Sequence, residues 1–130
     1  MVAEWDNGCA ASRGLAVDPA HGFFFAGCSE GTLSVLSLNG GRILSSESRG
    51  AGFDVLGFDP KLGHLYLAGG SCACLVVLGV SAAGELSFLD RFDAPGGTHC
   101  ATADEQGHAW VCDPDEGRLW RVDDQQPASF

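Results

Sequence analysis

The chain has 130 residues, of which 45% are apolar and 18% charged, a balance typical of one folded globular domain. Its 17 acidic residues outnumber its 7 lysines and arginines, and the formal net charge of −10 argues against nucleic acid or an anionic membrane surface as a partner. No apolar stretch has the length of a membrane helix, and the first residues lack the basic and apolar regions of a signal peptide.

Glycine is unusually frequent, since 19 glycines and 5 prolines stand between short runs rich in Phe, Val, Leu and Trp. No segment carries apolar residues at the spacing of an amphipathic helix, whereas short apolar runs between turn residues are typical of strands. The sequence therefore predicts an all-β protein.

Three segments repeat the same order of an apolar strand, a turn from Asp to Gly, and a second strand. Their turn aspartates, Asp18, Asp59 and Asp104, lie 41 and 45 residues apart. A third strand is predicted after each hairpin, over residues 32–36, 74–78 and 118–122. Fourth strands are predicted only in the first two units, near residues 42–48 and 86–92. Four strands repeated every 40–45 residues or so are typical of a β-propeller blade, and a β-sandwich of unrelated hairpins is the alternative.

The strand starts carry a family pattern: Gly-Leu-Ala-Val-Asp-Pro at 14–19, Phe-Asp-Val-Leu-Gly-Phe-Asp-Pro at 53–60 and His-Cys-Ala-Thr-Ala-Asp at 99–104. Over about residues 9–124 the chain thus resembles the YVTN-type β-propeller repeat proteins, the lactonase-like and surface-layer-associated propellers of bacteria. The resemblance implies an architecture and no particular activity, because one fold serves many functions. Members usually carry about six or seven blades in one chain, whereas three repeats are found here.

The predicted organisation is three propeller repeats over 1–124, followed by a flexible tail over 125–130. The repeats are expected at about 7–48, 49–93 and 94–124. The third repeat lacks a fourth strand, which residues 1–6 could supply through the alternating piece Val2–Trp5; a disordered N-terminus is the alternative. Because closed propellers have about four to eight blades, we expect two copies to form a six-bladed homodimeric ring.

Polar residues stand at one equivalent position of the three repeats, five residues before each turn aspartate. They are Arg13, Asp54 and His99. We expect them to converge at one mouth of the central channel, where an acid, a base and an imidazole could bind a small polar or anionic ligand. In the alternative, Arg13 and Asp54 pair with each other, His99 forms a hydrogen bond, and the channel has no ligand.

Apolar residues on the inner and middle strands are expected to form the core between blades. They are Leu15, Val17, Phe24, Val35, Leu56, Phe58, Leu65, Val77, Ala101, Trp110 and Leu119. Three histidines in or beside the turns, His21, His64 and His108, are expected to be exposed to solvent.

Two of the six cysteines flank the first hairpin. Simple pairing places Cys28 opposite position 12, so Cys9 must fold back to reach it. The resemblance adds to this, since propellers of this kind sometimes carry a cysteine at both positions, and it implies a disulfide between Cys9 and Cys28. Any disulfide would imply an oxidising compartment. The cysteine content and the resemblance are compatible with an exported protein, and the compartment is otherwise open.

The other four cysteines give weaker indications of a disulfide or a metal site. Cys100 is expected opposite Val111, which makes a bond to Cys112 less favourable. Cys72 and Cys74 are expected to be free buried thiols, with a soft-metal pair completed by a histidine as the alternative. The sequence contains no Cys-x-x-Cys pair, so a zinc ribbon or a thioredoxin-type motif is not indicated.

The predicted function is a non-catalytic β-propeller module for binding or assembly, with an unknown ligand and with a second copy of itself as partner. No cofactor and no metal is predicted. The alternative is a channel-sited lyase or lactonase-like enzyme that uses His99 as acid or base, Arg13 as anion holder and Asp54 as its carboxylate.

Overall fold

The computed structural model describes residues 2–130, which fold into eleven strands. In chain order they are β1 (Ser12–Asp18), β2 (Phe23–Cys28), β3 (Thr32–Ser37), β4 (Ile43–Ser48), β5 (Phe53–Asp59), β6 (His64–Gly69), β7 (Cys74–Val80), β8 (Leu86–Asp93), β9 (Ala101–Ala103), β10 (His108–Asp113) and β11 (Arg118–Asp123). Residues 2–130 contain no helix long and apolar enough to cross a membrane.

The strands form three antiparallel sheets that follow one another along the chain. The first sheet has the order β1-β2-β3-β4, the second β5-β6-β7-β8, and the third β9-β10-β11. Each strand pairs with its sequence neighbour, so every sheet is a simple meander. The all-β class is confirmed. In the described chain the third sheet has three strands, and the outer edge of β11 has no partner strand.

The turn aspartates fix the register of the hairpins. Asp18 lies opposite Phe23 and Asp59 opposite His64. The Oδ1 atom of Asp59 accepts hydrogen bonds from the backbone N–H groups of Lys61 and Leu62, at 2.8 and 3.1 Å. An aspartate that binds the backbone of its own turn holds that turn in one conformation, which explains why Asp recurs at this place.

Two layers of apolar side chains hold the sheets together. The layer between the first and second sheets includes Phe23, Phe25, Leu33, Val35, Leu56, Leu65, Leu67, Val76 and Leu78. The layer between the second and third sheets consists of Tyr66, Ala68, Leu75, Val77, Ala94, Ala101, Ala109 and Val111. Successive residues of a strand point to opposite faces, so the second sheet, covered on both faces, has two strands buried throughout.

Part of the predicted core is exposed. Buried as expected are Val35, Leu56, Leu65, Val77 and Ala101. The predictions for Leu15, Val17 and Leu119 are wrong, since these residues are 58%, 49% and 69% exposed. Three more residues of the predicted set are only half-buried: Phe24, Phe58 and Trp110. The exposed positions lie on the faces of the first and third sheets that point away from the second sheet, and no sheet of the described chain covers them.

The N-terminal residues do not form the predicted strand in this chain. Of residues 1–6, Met1 lies outside the described residues, and residues 2–6 have no strand partner. They cross the open face of the first sheet, where the Trp5 indole lies directly against Gly41 and Gly8 approaches the side chain of Ile43. A strand needs a hydrogen-bonding partner, and residues 2–6 pair with no strand of the described chain.

The tail at 125–130 is packed against the protein, which corrects the prediction of a flexible segment. The backbone N–H of Ser129 donates to the carbonyl oxygen of Leu62 at 2.7 Å. The side-chain amide of Gln126 donates to Asp90 at 3.2 Å. The Phe130 ring stacks on His21, with 4.0 Å between ring centroids. These polar and aromatic contacts order a segment whose sequence has no strand pattern.

Candidate functional site

Arg13, Asp54 and His99 line one cleft of about 470 Å³. Arg13 and Asp54 lie near the starts of β1 and β5, and His99 lies two residues before β9. The three sheets thus bring an arginine, an aspartate and a histidine to the same end of their inner strands. That these residues bind a ligand stays a prediction.

Close contact between the inner strands fixes the positions of these side chains. Gly14 packs directly against the backbone carbonyl of Asp54, so a side chain at position 14 would collide with it. The backbone N–H of Val55 donates to the carbonyl oxygen of His99 at 3.0 Å. Residues held by packed strands keep their relative positions better than residues on mobile loops.

The loops around the cleft are joined by their own hydrogen bonds. The N–H of Gly52 donates to the oxygen of Ser29 at 2.8 Å, Gly70 donates to Gly52 at 3.2 Å, and Gly97 donates to Gly70 at 3.2 Å. A Cβ atom on Gly70 would lie 2.9 Å from the carbonyl oxygen of Thr98, which requires glycine there. One chain of bonds therefore connects all three sheets along the wall of the cleft.

The charges in the cleft do not neutralise each other. In residues 2–130 no ion pair involves Arg13 or Asp54, so the predicted alternative of a mutual pair is not observed. His99 Nδ1 lies 3.2 Å from the carbonyl oxygen of Gly97. Because a carbonyl oxygen only accepts, Nδ1 is the donor, and Nε2 is an acceptor in the neutral ring.

A buried polar network was missed by the sequence analysis. The Nδ1 atom of His64 lies 2.6 Å from Asp124 Oδ2, the Tyr66 hydroxyl donates to the same oxygen at 2.6 Å, and His64 Nε2 lies 3.0 Å from the Pro127 carbonyl. The prediction that His64 is exposed is wrong, since its side chain is 0% exposed. Both ring nitrogens of His64 therefore lie within hydrogen-bonding distance of an oxygen acceptor.

Burial and hydrogen bonding act against each other on Asp124. Burial works to raise the pKa of this carboxyl, but the hydrogen bonds from Tyr66, from the Gln126 backbone and from His64 lower the pKa below its ordinary value. Burial, reinforced by the neighbouring Asp124 carboxylate, raises the pKa of Tyr66 far above its usual range. The network therefore holds an ionised Asp124 and a neutral Tyr66 under ordinary conditions.

The carboxylates of the turn aspartates differ in the hydrogen bonds that they accept. Asp104 Oδ2 lies 2.8 Å from His108 Nδ1 and accepts from Trp110 Nε1 at 3.1 Å. Desolvation works to raise the pKa of Asp104, but these bonds, with two from the backbone, lower it well below its usual range. Asp59 Oδ2 is buried and has no hydrogen-bond partner in the described chain. The residue three positions after the turn aspartate is a histidine in the first repeat and Leu62 in the second, and a leucine side chain cannot donate a hydrogen bond to Asp59.

The cysteines form three disulfides. Cys9 is bonded to Cys28, with 5.5 Å between their Cα atoms. Cys28 lies opposite Ser12, and an irregularity in the pairing follows before Gly14. The expectation of free thiols at positions 72 and 74 is wrong, because Cys72 and Cys74 are bonded to each other.

The third disulfide joins Cys100 and Cys112, which corrects the expected register. Ala101 lies opposite Val111, so the preceding Cys100 faces Cys112. The reason is a longer turn than predicted, in which Glu105 adopts a positive φ of 59°. One additional residue in a turn shifts every pair along the hairpin.

We expect the three disulfides to contribute unequally to stability. The bond between Cys9 and Cys28 closes a sequence separation of 19 residues, whereas that between Cys72 and Cys74 closes a separation of 2. Loop entropy predicts a loss of about 3 kcal/mol for the first bond and about half as much for the second. Urea unfolding of the two double alanine variants measures this difference, and equal losses would contradict it.

Comparison with known proteins supports the fold. No protein-family model and no curated protein matches the sequence. The structure is similar to a β-propeller domain of Cps50 (Swd1) from Myceliophteria thermophila, at a TM-score of 0.73 and 11% identity over 91% of this chain and 37% of that one. It is also similar to the WD40 repeats of RRP9, at a TM-score of 0.65 and 12% identity over 91% of this chain and 40% of that one.

A third similar structure is a functionally unknown protein from Desulfotomaculum acetoxidans, with a TM-score of 0.76 and 12% identity over 88% of this chain and 38% of that one. At these identities the similarity shows the fold alone. The chain therefore has a β-propeller fold, and the finer resemblance to YVTN-type repeats has no family match behind it. The chain spans less than half the length of each of these three structures.

Proposed function

We propose that this chain is a non-catalytic propeller module for binding and assembly, in which two copies complete a six-bladed ring around a channel. In that ring the third sheet of each copy packs on the first sheet of the other. The same contact occurs twice, as a two-fold dimer requires. Arg13, Asp54 and His99 would each appear twice around the channel, where a small polar or anionic ligand would bind.

The first support comes from equivalent residues in different sheets. Leu15 and Leu56 each stand three residues before a turn aspartate, yet Leu15 is 58% exposed and Leu56 is 6% exposed. Leu33, Leu75 and Leu119 are each the second residue of a third strand. Leu33 and Leu75 are 0% exposed and Leu119 is 69% exposed. The exposed members lack only a covering sheet, and contiguous apolar faces of this kind are typical of interfaces.

The observation that carries the proposal is the place of residues 2–7 on the first sheet. Trp5 lies against Gly41, and Leu44 of β4 lies against Gly84 in the same manner, with each glycine two residues before a fourth strand. Trp5 precedes β1 by seven residues, and Leu44 precedes β5 by nine. The two similar contacts support our assignment of residues 2–7 as the fourth strand of a preceding blade.

The blade that needs such a strand is the third one. The outer edge of β11 is unpaired in the described chain, and an unpaired edge is a template for another strand. The third sheet of one copy would pair its β11 with residues 2–7 of the other. Each copy would then complete the other's third blade while residues 2–7 stay where they lie.

A proline on the open edge tests this pairing. The N–H of Cys112 donates to the carbonyl oxygen of Cys100, so the backbone polar groups of Cys112 point toward β9. Because these groups alternate along a strand, Val111 and its partner Trp120 form the hydrogen bonds between β10 and β11. The N–H of the next residue, Arg121, therefore points to the open edge. Arg121→Pro removes that N–H without removing a bond between β10 and β11. Arg121→Ala is the matched control, because it shortens the same side chain and keeps the N–H.

We expect Arg121→Pro to weaken the dimer at least about tenfold in sedimentation velocity, the loss corresponding to one or two hydrogen bonds and a displaced strand. Arg121→Ala should leave the dimer near the unmodified level. Equal masses for the two variants and the unmodified chain across a dilution series would contradict pairing at this edge.

A further inference from the structure

The cleft at Arg13, Asp54 and His99 has two chemically different sides. Arg13 belongs to the first sheet and carries a permanent positive charge. Asp54 belongs to the second sheet, and the backbone bond from Val55 to the His99 carbonyl, at 3.0 Å, holds it beside His99, which precedes the third sheet. The Arg13 side of the cleft thus donates hydrogen bonds, and the Asp54 side accepts them.

Among residues 2–130, neither Arg13 nor Asp54 forms an ion pair, although acidic residues outnumber Lys and Arg by 17 to 7. Nδ1 of His99 is engaged by Gly97, so the neutral ring offers Nε2 as an additional acceptor. An occupant bearing a single charge would satisfy one side of the cleft and leave the other unpaired.

We infer that the cleft binds a small zwitterion, a molecule with a carboxylate at one end and a primary ammonium group at the other. The carboxylate lies at the Arg13 guanidinium, whose fork of N–H donors matches two carboxylate oxygens. The ammonium group lies between the Asp54 carboxylate and His99 Nε2. This inference names the ligand class of the proposed binding module and so rests on the proposed function.

The cleft volume and its polar wall fit this class. A volume of about 470 Å³ is in the range of small-molecule sites. Ser29, Ser71 and Thr98 line the same cleft, and a hydroxyl can donate to a carboxylate or accept from an ammonium group. The hydroxyls therefore support either end of the ligand, while the two charges set its orientation.

Calorimetric titration of the full chain with glycine, β-alanine and γ-aminobutyrate tests the inference. Acetate and methylammonium are the matched probes with one charge each. We expect at least one amino acid to bind at least about tenfold more tightly than either single-charge probe, because two charged contacts form instead of one. Equal binding of acetate would identify a simple anion site and overturn the inference.

Three variants locate the binding. Arg13→Gln and Asp54→Asn should each weaken amino-acid binding at least about tenfold, and Asp54→Asn should leave acetate binding unchanged. Arg91→Gln, which alters an exposed arginine of β8, should bind as the unmodified chain does. Amino-acid binding that survives both cleft variants would overturn the inference.

The native mass of each titrated sample shows whether the dimeric ring has formed, so ligand binding and ring formation are tested separately. A dimer that binds none of the five probes would overturn the ligand class and leave the ring intact. A monomer that binds amino acids through Arg13 and Asp54 would support the ligand class and contradict the ring.

Discussion

Asp124→Ala is expected to lower the free energy of unfolding by about 3–5 kcal/mol, the cost of removing one partner from a buried charged network. The side chains of His64 and Asp124 are 0% and 1% exposed, and Tyr66 donates to the same carboxylate oxygen. Without Asp124, two buried polar groups lose their partner, and the segment that bonds through Pro127 is released from the second sheet. Urea unfolding measures the loss.

The neighbouring residue is the control for this prediction. Asp123 is 53% exposed and pairs with Arg121 on the surface. Asp123→Ala should change stability by no more than about 0.5 kcal/mol, as is usual for an exposed ion pair. Similar losses for the two alanine variants would mean that the buried network does not hold the tail.

The same network predicts a pH dependence. The pKa of Asp124 is lower in the folded chain than its ordinary value, so the folded state binds fewer protons at this site than the unfolded state does. The stabilisation is therefore present above about pH 4 and is lost as the pH falls through the lowered pKa. Asp124→Ala should lose less stability than the unmodified chain over that acidic range.

Phe25→Ala should lower the free energy of unfolding by about 3–5 kcal/mol, the usual range for emptying a buried aromatic site. Phe25 is 0% exposed, and its ring lies 4.9 Å from that of Phe58, between centroids. It belongs to the layer between the first and second sheets, so removal of the ring leaves a cavity in that layer.

The adjacent Phe24 is the matched comparison, and its alanine variant is measured for self-association as well as for stability. Phe24 is half-buried and lines the groove on the open face of the first sheet with Trp5, Leu15 and Leu36. Phe24→Ala should therefore cost less stability than Phe25→Ala and should weaken self-association, because that face is the proposed interface. The two variants should be compared at one protein concentration, since a dimer's stability depends on it. The reverse order of stability losses would contradict the packing.

The repeats made the strands predictable because each unit carries its own turn signal. Asp18 and Asp59 start turns whose backbone bonds they accept, and the strands follow from those fixed points. The placement of Arg13, Asp54 and His99 around one cleft followed from the same signal, since equivalent positions of equivalent sheets meet at one end.

Other features depend on contacts that no local pattern encodes. Leu15 and Leu119 were expected in the core because the prediction assumed a covering sheet on every face. The bond from His64 to Asp124 joins residues 60 positions apart, beyond the reach of turn or strand signals. The pairing of Cys100 with Cys112 depends on the exact number of residues in the turn between their strands. That turn has no proline, and the sequence alone did not fix its length to one residue.

The native mass of the unmodified chain, measured by multi-angle light scattering at micromolar concentration, tests the central claim most directly. The account predicts a particle of twice the 13.5 kDa of one chain, because in the proposed ring a second copy covers the open faces of the first and third sheets and the edge of β11. A stable, folded particle of 13.5 kDa at the same concentration would contradict the self-completed ring.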